Sequence, residues 1–169
     1  DVRLDANSDG YFSKEERITN SDTAGIVIRD PRGASFRADL ADCKATIEQS
    51  GPIRTCVKFE GRHESKVGEM FKYVLRIHAY RDQPFLKIQY TFINDFQTEL
   101  MARLDSLALI FNTSTSENTT FWLNGAPTKS NRLDQIDDRS FELDGEKAGR
   151  KAIGWMAQTG ANGGMAIGL

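Results

Sequence analysis

The chain has 169 residues, with 22 Lys and Arg against 24 Asp and Glu, 39% hydrophobic residues, 2 Cys and a net charge of -2. That length fits one domain with at most a small appendage, large enough to bury a core without a dense disulfide framework. A pI near 5.7 leaves no basic footprint for nucleic acid, no apolar run approaches a bilayer span, and ten Phe, four Tyr and two Trp argue against disorder.

The first segment in chain order carries the one motif with evident chemistry. Asp5 to Glu16 reads as a twelve-residue calcium loop. Asp5, Asn7 and Asp9 place side-chain oxygens at alternate positions, and Gly10 permits the positive φ that the sharp turn needs. The Tyr11 carbonyl, Ser13 and a bidentate Glu16 complete the set, which suits a hard cation wanting six to eight oxygens. Apolar Phe12 is placed to anchor the loop to the core. The bland alternative is a solvated acidic turn leading into a helical turn over Ser13 to Thr19. Long flanking helices are missing from the pattern, so the expectation is a structural Ca²⁺ site rather than a sensor. Millimolar extracellular calcium suffices for such a site.

Strand signals follow. Ala24 to Arg29 is a short apolar run stopped by Asp30-Pro31-Arg32-Gly33, a turn sequence. Cys43 to Glu48 and Ile53 to Glu60 flank Gln49-Ser50-Gly51-Pro52, the corner of a hairpin. Ile53, Thr55, Val57 and Phe59 share one face of the second run, with Arg54, Lys58 and Glu60 on the other. In Phe71 to Tyr80 the apolar set is Tyr73, Leu75, Ile77 and Ala79, opposite Lys72, Arg76 and His78. After Arg81 to Pro84, Phe85 to Ile93 aligns Leu86, Ile88, Tyr90 and Phe92. Leu104 to Phe111 is expected to point Leu107, Leu109 and Phe111 inward. Shorter runs stand at Phe121 to Asn124, Ser140 to Leu143, Lys151 to Gln158 and Gly164 to Leu169, with exposed loops expected over Asn112 to Thr120 and Gly125 to Arg139. Nine or ten short strands parted by Gly, Pro and Asn turns predict an all-β, antiparallel β-sandwich at 23–169 behind a calcium-loop segment at 1–22.

Other signals are weaker. His78 lies among Arg76 and Tyr80, which could supply a base, an acid and a charge neutraliser, but such a face is more often simply wet. His63 stands beside Arg62 and Glu64. Trp122 and Trp155 are candidates for a sugar platform, against the commoner role in a core or rim. Cys43 and Cys56 leave a cross-strand disulfide open. Asn112 and Asn118 head glycosylation acceptor triplets. The opening at Asp1 and the strand-like Gly163 to Leu169 read as a piece of something larger, or a subunit completed by a neighbour.

The succession Ile47-Glu48-Gln49-Ser50-Gly51-Pro52-Ile53-Arg54, Phe59-Glu60-Gly61-Arg62-His63, Leu75-Arg76-Ile77-His78-Ala79-Tyr80 and Gln83-Pro84-Phe85-Leu86-Lys87-Ile88 resembles a known family. With Tyr90-Thr91-Phe92-Ile93 and Gly154-Trp155-Met156, it is similar to the central β-sandwich of exo-type rhamnogalacturonan lyases and their bacterial relatives. The resemblance, over about Ala24 to Leu169, implies a supersandwich of galactose-mutarotase-like type between an N-terminal β-barrel and an α/α toroid. The toroid is not within these residues, and no catalytic residue of the family maps onto a numbered position here. If the parent is a lyase, its chemistry is β-elimination from a uronate.

Three readings follow. One is a calcium-binding, extracellular or periplasmic accessory domain of a polysaccharide-acting protein, with polysaccharide or neighbouring domains as partners. A second is a cell-surface or filament-forming subunit whose copies join through sheet edges. The third is a carbohydrate-binding module using Trp122 or Trp155.

Overall fold

A computed structural model of the chain describes residues 3, 5, 7, 9–17, 19–38, 43–95, 101–113, 119–130, 132–160 and 163–168. The fold is all-β and antiparallel, of the sandwich class. Its strands are β1 (Thr19–Arg29), β2 (Ser35–Ala38), β3 (Lys44–Ser50), β4 (Arg54–Ser65), β5 (Gly68–Tyr80), β6 (Leu86–Ile93) and β7 (Ser106–Thr113). They continue with β8 (Thr120–Leu123), β9 (Ala126–Thr128), β10 (Leu133–Gln135), β11 (Phe141–Leu143), β12 (Glu146–Gly149), β13 (Trp155–Gly160) and β14 (Gly163–Gly168). Packing divides the chain into two compact units, Ala24–Ile110 and Asp1–Thr23 with Phe111–Leu169. Among the described residues no helix is long and apolar enough to cross a membrane.

The first unit is built on a sheet of order β6-β5-β4-β2-β1-β7, with β3 also paired to β4. β4 is long enough to hold two partners along one edge. Thr55 to Glu60 face β3, while His63 and Glu64 face β2. The Asp30 turn forms as its sequence predicts: Asp30 Oδ1 accepts the Ala34 N–H at 2.8 Å and the Arg32 N–H at 3.0 Å, and Gly33 takes φ +85°. Alternation does the rest. Ile26 and Ile28 leave β1 on one face, and Tyr73 and Leu75 leave β5 on one face. They build two adjoining apolar clusters, Ile28 with Phe36, Met70 and Phe71, and Ile26 with Tyr73 and Leu75. Each such side chain, fully buried, contributes about 1.5–3 kcal/mol.

The second unit holds two small sheets, of order β14-β13-β8-β9 and β10-β11-β12. Leu123 and Phe141 are its buried apolar side chains.

Several expectations are corrected. The helical turn expected over Ser13 to Thr19 is reduced to one hydrogen-bonded turn, in which the Arg17 N–H reaches the Lys14 carbonyl at 3.3 Å; Arg17 then forms an isolated bridge to Arg3, and β1 begins at Thr19. Gly125 to Arg139 holds β9 and β10 rather than a loop. Of the expected inward set of β7, Leu107 and Leu109 are exposed and Phe111 is half-buried, as are Ala108 and Ile110 of the alternate set. Ile53 precedes β4 and is exposed. No disulfide joins Cys43 and Cys56. Cys43 lies just before Lys44, whose partner is Glu60, so the two thiols sit roughly 13 Å or more apart along β4.

Candidate functional site

The N-terminal loop is held by its own side-chain oxygens. Asp5 accepts the Asp9 N–H on Oδ1 at 3.1 Å and the Gly10 N–H on Oδ2 at 3.0 Å. Asn7 Oδ1 accepts the same Asp9 N–H at 3.1 Å, and Asp9 Oδ1 accepts the Tyr11 N–H at 2.8 Å. Glu16 reaches back to the Ser13 N–H at 2.8 Å. Gly10 adopts φ +81°, a conformation in which a side chain is strained. Each oxygen so engaged keeps a lone pair for another partner. The sequence positions that predict cation ligands are thus the positions that form this ring of turns. Among the described residues, no three His, Cys, Asp or Glu side chains stand close enough together to hold a metal ion. The loop is a series of turns capped by its own side chains, and Asp5, Asp9 and Glu16 do not form such a group. Phe12 does not anchor it. Its side chain is exposed, and its carbonyl accepts Arg3 Nη1 at 2.7 Å.

On the sheet, His78 faces a cluster that pattern reasoning did not assemble. Cys56 and His78 are cross-strand partners, with Cys56 Sγ 3.9 Å from His78 Nε2 and 3.8 Å from Glu48 Oε2. Glu48 sits at a register shift between Ile47 and Gln49, and such a bulge re-aims a side chain. Its carboxylate takes both Arg76 Nε at 2.7 Å and Nη2 at 2.9 Å, with Lys58 Nζ at 3.5 Å. The Arg76 hydrogen bonds hold the Glu48 carboxyl down to about 2, against the opposing effect of burial. The Glu48–Arg76 pair is therefore complete above the ordinary carboxylate value of 4.5 and is lost as pH falls toward 2. An NMR pH titration of Glu48 is expected to show that low midpoint. In Arg76→Ala it should return toward the ordinary range. Cys56 is only 3% exposed, so the Cys56–His78 pair offers no open nucleophile.

His63 is fully buried. Its Nδ1 lies 3.2 Å from the Met70 carbonyl and 3.0 Å from that of Phe71, and its Nε2 lies 2.6 Å from Tyr90 Oη. Carbonyls only accept, so Nδ1 carries the proton and Nε2 accepts from the Tyr90 hydroxyl. Burial pushes the imidazole below its usual value and the Tyr90 phenol above its own. This is a structural clamp. Nothing in the alternation of Arg62, His63 and Glu64 marks it, because the clamp depends on a β5 bulge at Phe71.

Trp122 and Trp155 both stand in the β14-β13-β8-β9 sheet, the first half-buried and the second 37% exposed. Asn112 lies in β7, and Asn118 lies outside the described residues.

Residues 28–120 match the family of the PcRGLX-like protein central beta sandwich domain. No curated protein and no solved structure matches the chain.

Proposed function

Because the chain belongs to the family of PcRGLX-like central β-sandwich domains, we propose that it is a calcium-binding, extracellular, non-catalytic sandwich domain of a rhamnogalacturonan-lyase-like protein. Membership in this family supports a polysaccharide-acting setting for the sandwich. The observation that carries the calcium reading is the ring of turns at Asp5 to Tyr11, in which Asp5, Asn7 and Asp9 each accept a backbone N–H of the same loop. Those bonds keep the ligand-type side chains on one short loop, from which a bound ion would draw them together. Asp5, Asn7, Asp9, Ser13 and Glu16 would hold Ca²⁺ with the Tyr11 carbonyl, and the ion would stabilise the N-terminal segment. The enclosure of His63 and Cys56 argues that the sheet residues hold backbone and core rather than reach substrate.

Calcium-dependent melting tests the proposal. At a hundredfold excess over Kd, ligand binding adds about 2.7 kcal/mol, which for this size raises Tm by roughly 5–10 °C. Glu16→Ala and Asp5→Ala are expected to abolish that rise while leaving Tm in chelator almost unchanged. An unchanged wild-type Tm up to several millimolar calcium would contradict it.

A further inference from the structure

The registers of the second unit's four-stranded sheet place its two tryptophans on one face. Ala157 pairs with Trp122 and with Ala166, and Trp122 pairs with Pro127. Trp155 leaves β13 two residues before Ala157, on the same side, and pairs with Gly168. Thr159 leaves two residues after, pairs with Thr120 and Gly164, and accepts the Trp122 Nε1–H on Oγ1 at 3.2 Å. Trp122 and Trp155 are therefore diagonal neighbours on adjacent strands, roughly 7–8 Å apart at their bases.

This face is the wetter one. Trp155, Thr159, Gly164, Ala166, Gly168, Pro127 and Thr120 are exposed, with Trp122 and Ala157 half-buried; on the opposite face Leu123 is buried, Phe121, Gln158, Met165 and Ile167 are half-buried, and Met156 and Ala126 are exposed. The edge strand beside Trp155 raises nothing taller than a methyl group there. A Cβ at Gly164 would run into the Gln158 carbonyl and lie 2.9 Å from Thr159 Cα, so that position is closed to side chains. The result is a low floor of Gly164, Ala166, Gly168 and Ala157 with two indoles beside it. The Thr159 and Thr120 hydroxyls close one end. The paired residues themselves are uncharged, and Lys129, two residues beyond Pro127, lines a pocket with Thr120 and Pro127 at that end.

We infer that this face is a binding platform for the neutral pyranose units of a polysaccharide. The C–H face of a pyranose ring carries slight positive charge and apolar area, which matches the negative face of an indole. Indoles on two neighbouring strands offer stacking surface to successive sugar rings, and threonine hydroxyls exchange hydrogen bonds with ring hydroxyls in both directions. The indoles and the floor between them carry no charge, so the stacking surface itself recognises the ring faces of neutral sugar, while Lys129 stands beside Thr120 and Pro127 at the end of the rows. The inference rests on the reading of the chain as part of a polysaccharide-acting protein, but not on calcium.

The test is affinity electrophoresis through gels containing galactan, mannan, xylan or β-glucan, with polygalacturonate as the charged comparison, each run in calcium and in chelator. At least one neutral polysaccharide is expected to retard the wild type in both conditions, with retardation reduced about tenfold or more in Trp155→Ala. Ala166→Arg, which fills the floor from an exposed edge position, is expected to do the same, with an unchanged melting curve for both variants. Absence of retardation by every neutral polysaccharide, retardation by polygalacturonate alone, or retardation unaffected by both substitutions would each overturn the platform. A calcium-induced rise in Tm with no retardation would sink the platform and leave the calcium reading standing.

Discussion

Replacing His63 with alanine is expected to destabilise the protein by about 3–4 kcal/mol, the largest single effect we anticipate. Three losses coincide. The Met70 and Phe71 carbonyls lose their shared donor, the Tyr90 hydroxyl loses its acceptor, and a buried ring is replaced by a gap. Phe71 makes the first loss serious. It is a non-glycine residue at φ +47°, in the β5 bulge opposite the Arg62 to His63 step, a conformation costing about 1–3 kcal/mol that persists only while its surroundings enforce it. Urea unfolding at pH 7 measures the loss. Tyr90→Phe, which removes one hydroxyl, should cost about 1–2 kcal/mol.

The same clamp fixes a pH dependence. Burial lowers the folded His63 below the ordinary imidazole value of 6.5, so the unfolded chain binds more protons at this site in mildly acidic solution. Stability at this position is therefore complete above 6.5 and declines as pH falls from there toward the lower folded value. His63→Gln should show a shallower decline than the wild type between roughly pH 7 and 5.

Gly61→Ala is the second large effect. An added Cβ would lie 2.8 Å from Tyr73 Oη and 3.0 Å from its Cζ, and Tyr73 is held in the core with 1% exposure. The tyrosine cannot swing into water without opening the cluster it shares with Ile26 and Leu75. Overpacking of this kind costs about 1–3 kcal/mol. Gly51→Ala is the comparison. Its new Cβ would meet only the Arg54 carbonyl at 3.4 Å, ordinary contact, so its expected loss in the same denaturant series is under about 1 kcal/mol.

The strands β4, β5 and β6 were legible in their alternation, but only β5 buries one face as the spacing implies. Leu86, Ile88 and Phe92 of β6 are exposed, and Cys56 of β4 is buried opposite Thr55, Val57 and Phe59. Tyr73, Leu75 and Ile77 fell on the core side as their spacing requires. β7 misled because Leu107 and Leu109 alternate as convincingly as Ala108 and Ile110, and only packing decides how far either set is covered. β9 and β10 were hidden in a polar stretch, since strands of three residues carry too few positions to show a period. In the N-terminal loop the Asp and Asn spacing that suggested a cation site also turns the chain through its own side chains. The Glu48 cluster and the His63 clamp were not legible. Both arise at register shifts, and a bulge leaves no mark on the alternation of its own strand.

Calorimetric titration of calcium into chelator-treated protein decides whether the N-terminal loop holds the ion. One saturable site is expected, with binding abolished in Asp5→Ala and in Glu16→Ala. Absence of heat and of binding up to several millimolar calcium, or binding that survives both substitutions, would contradict the calcium reading.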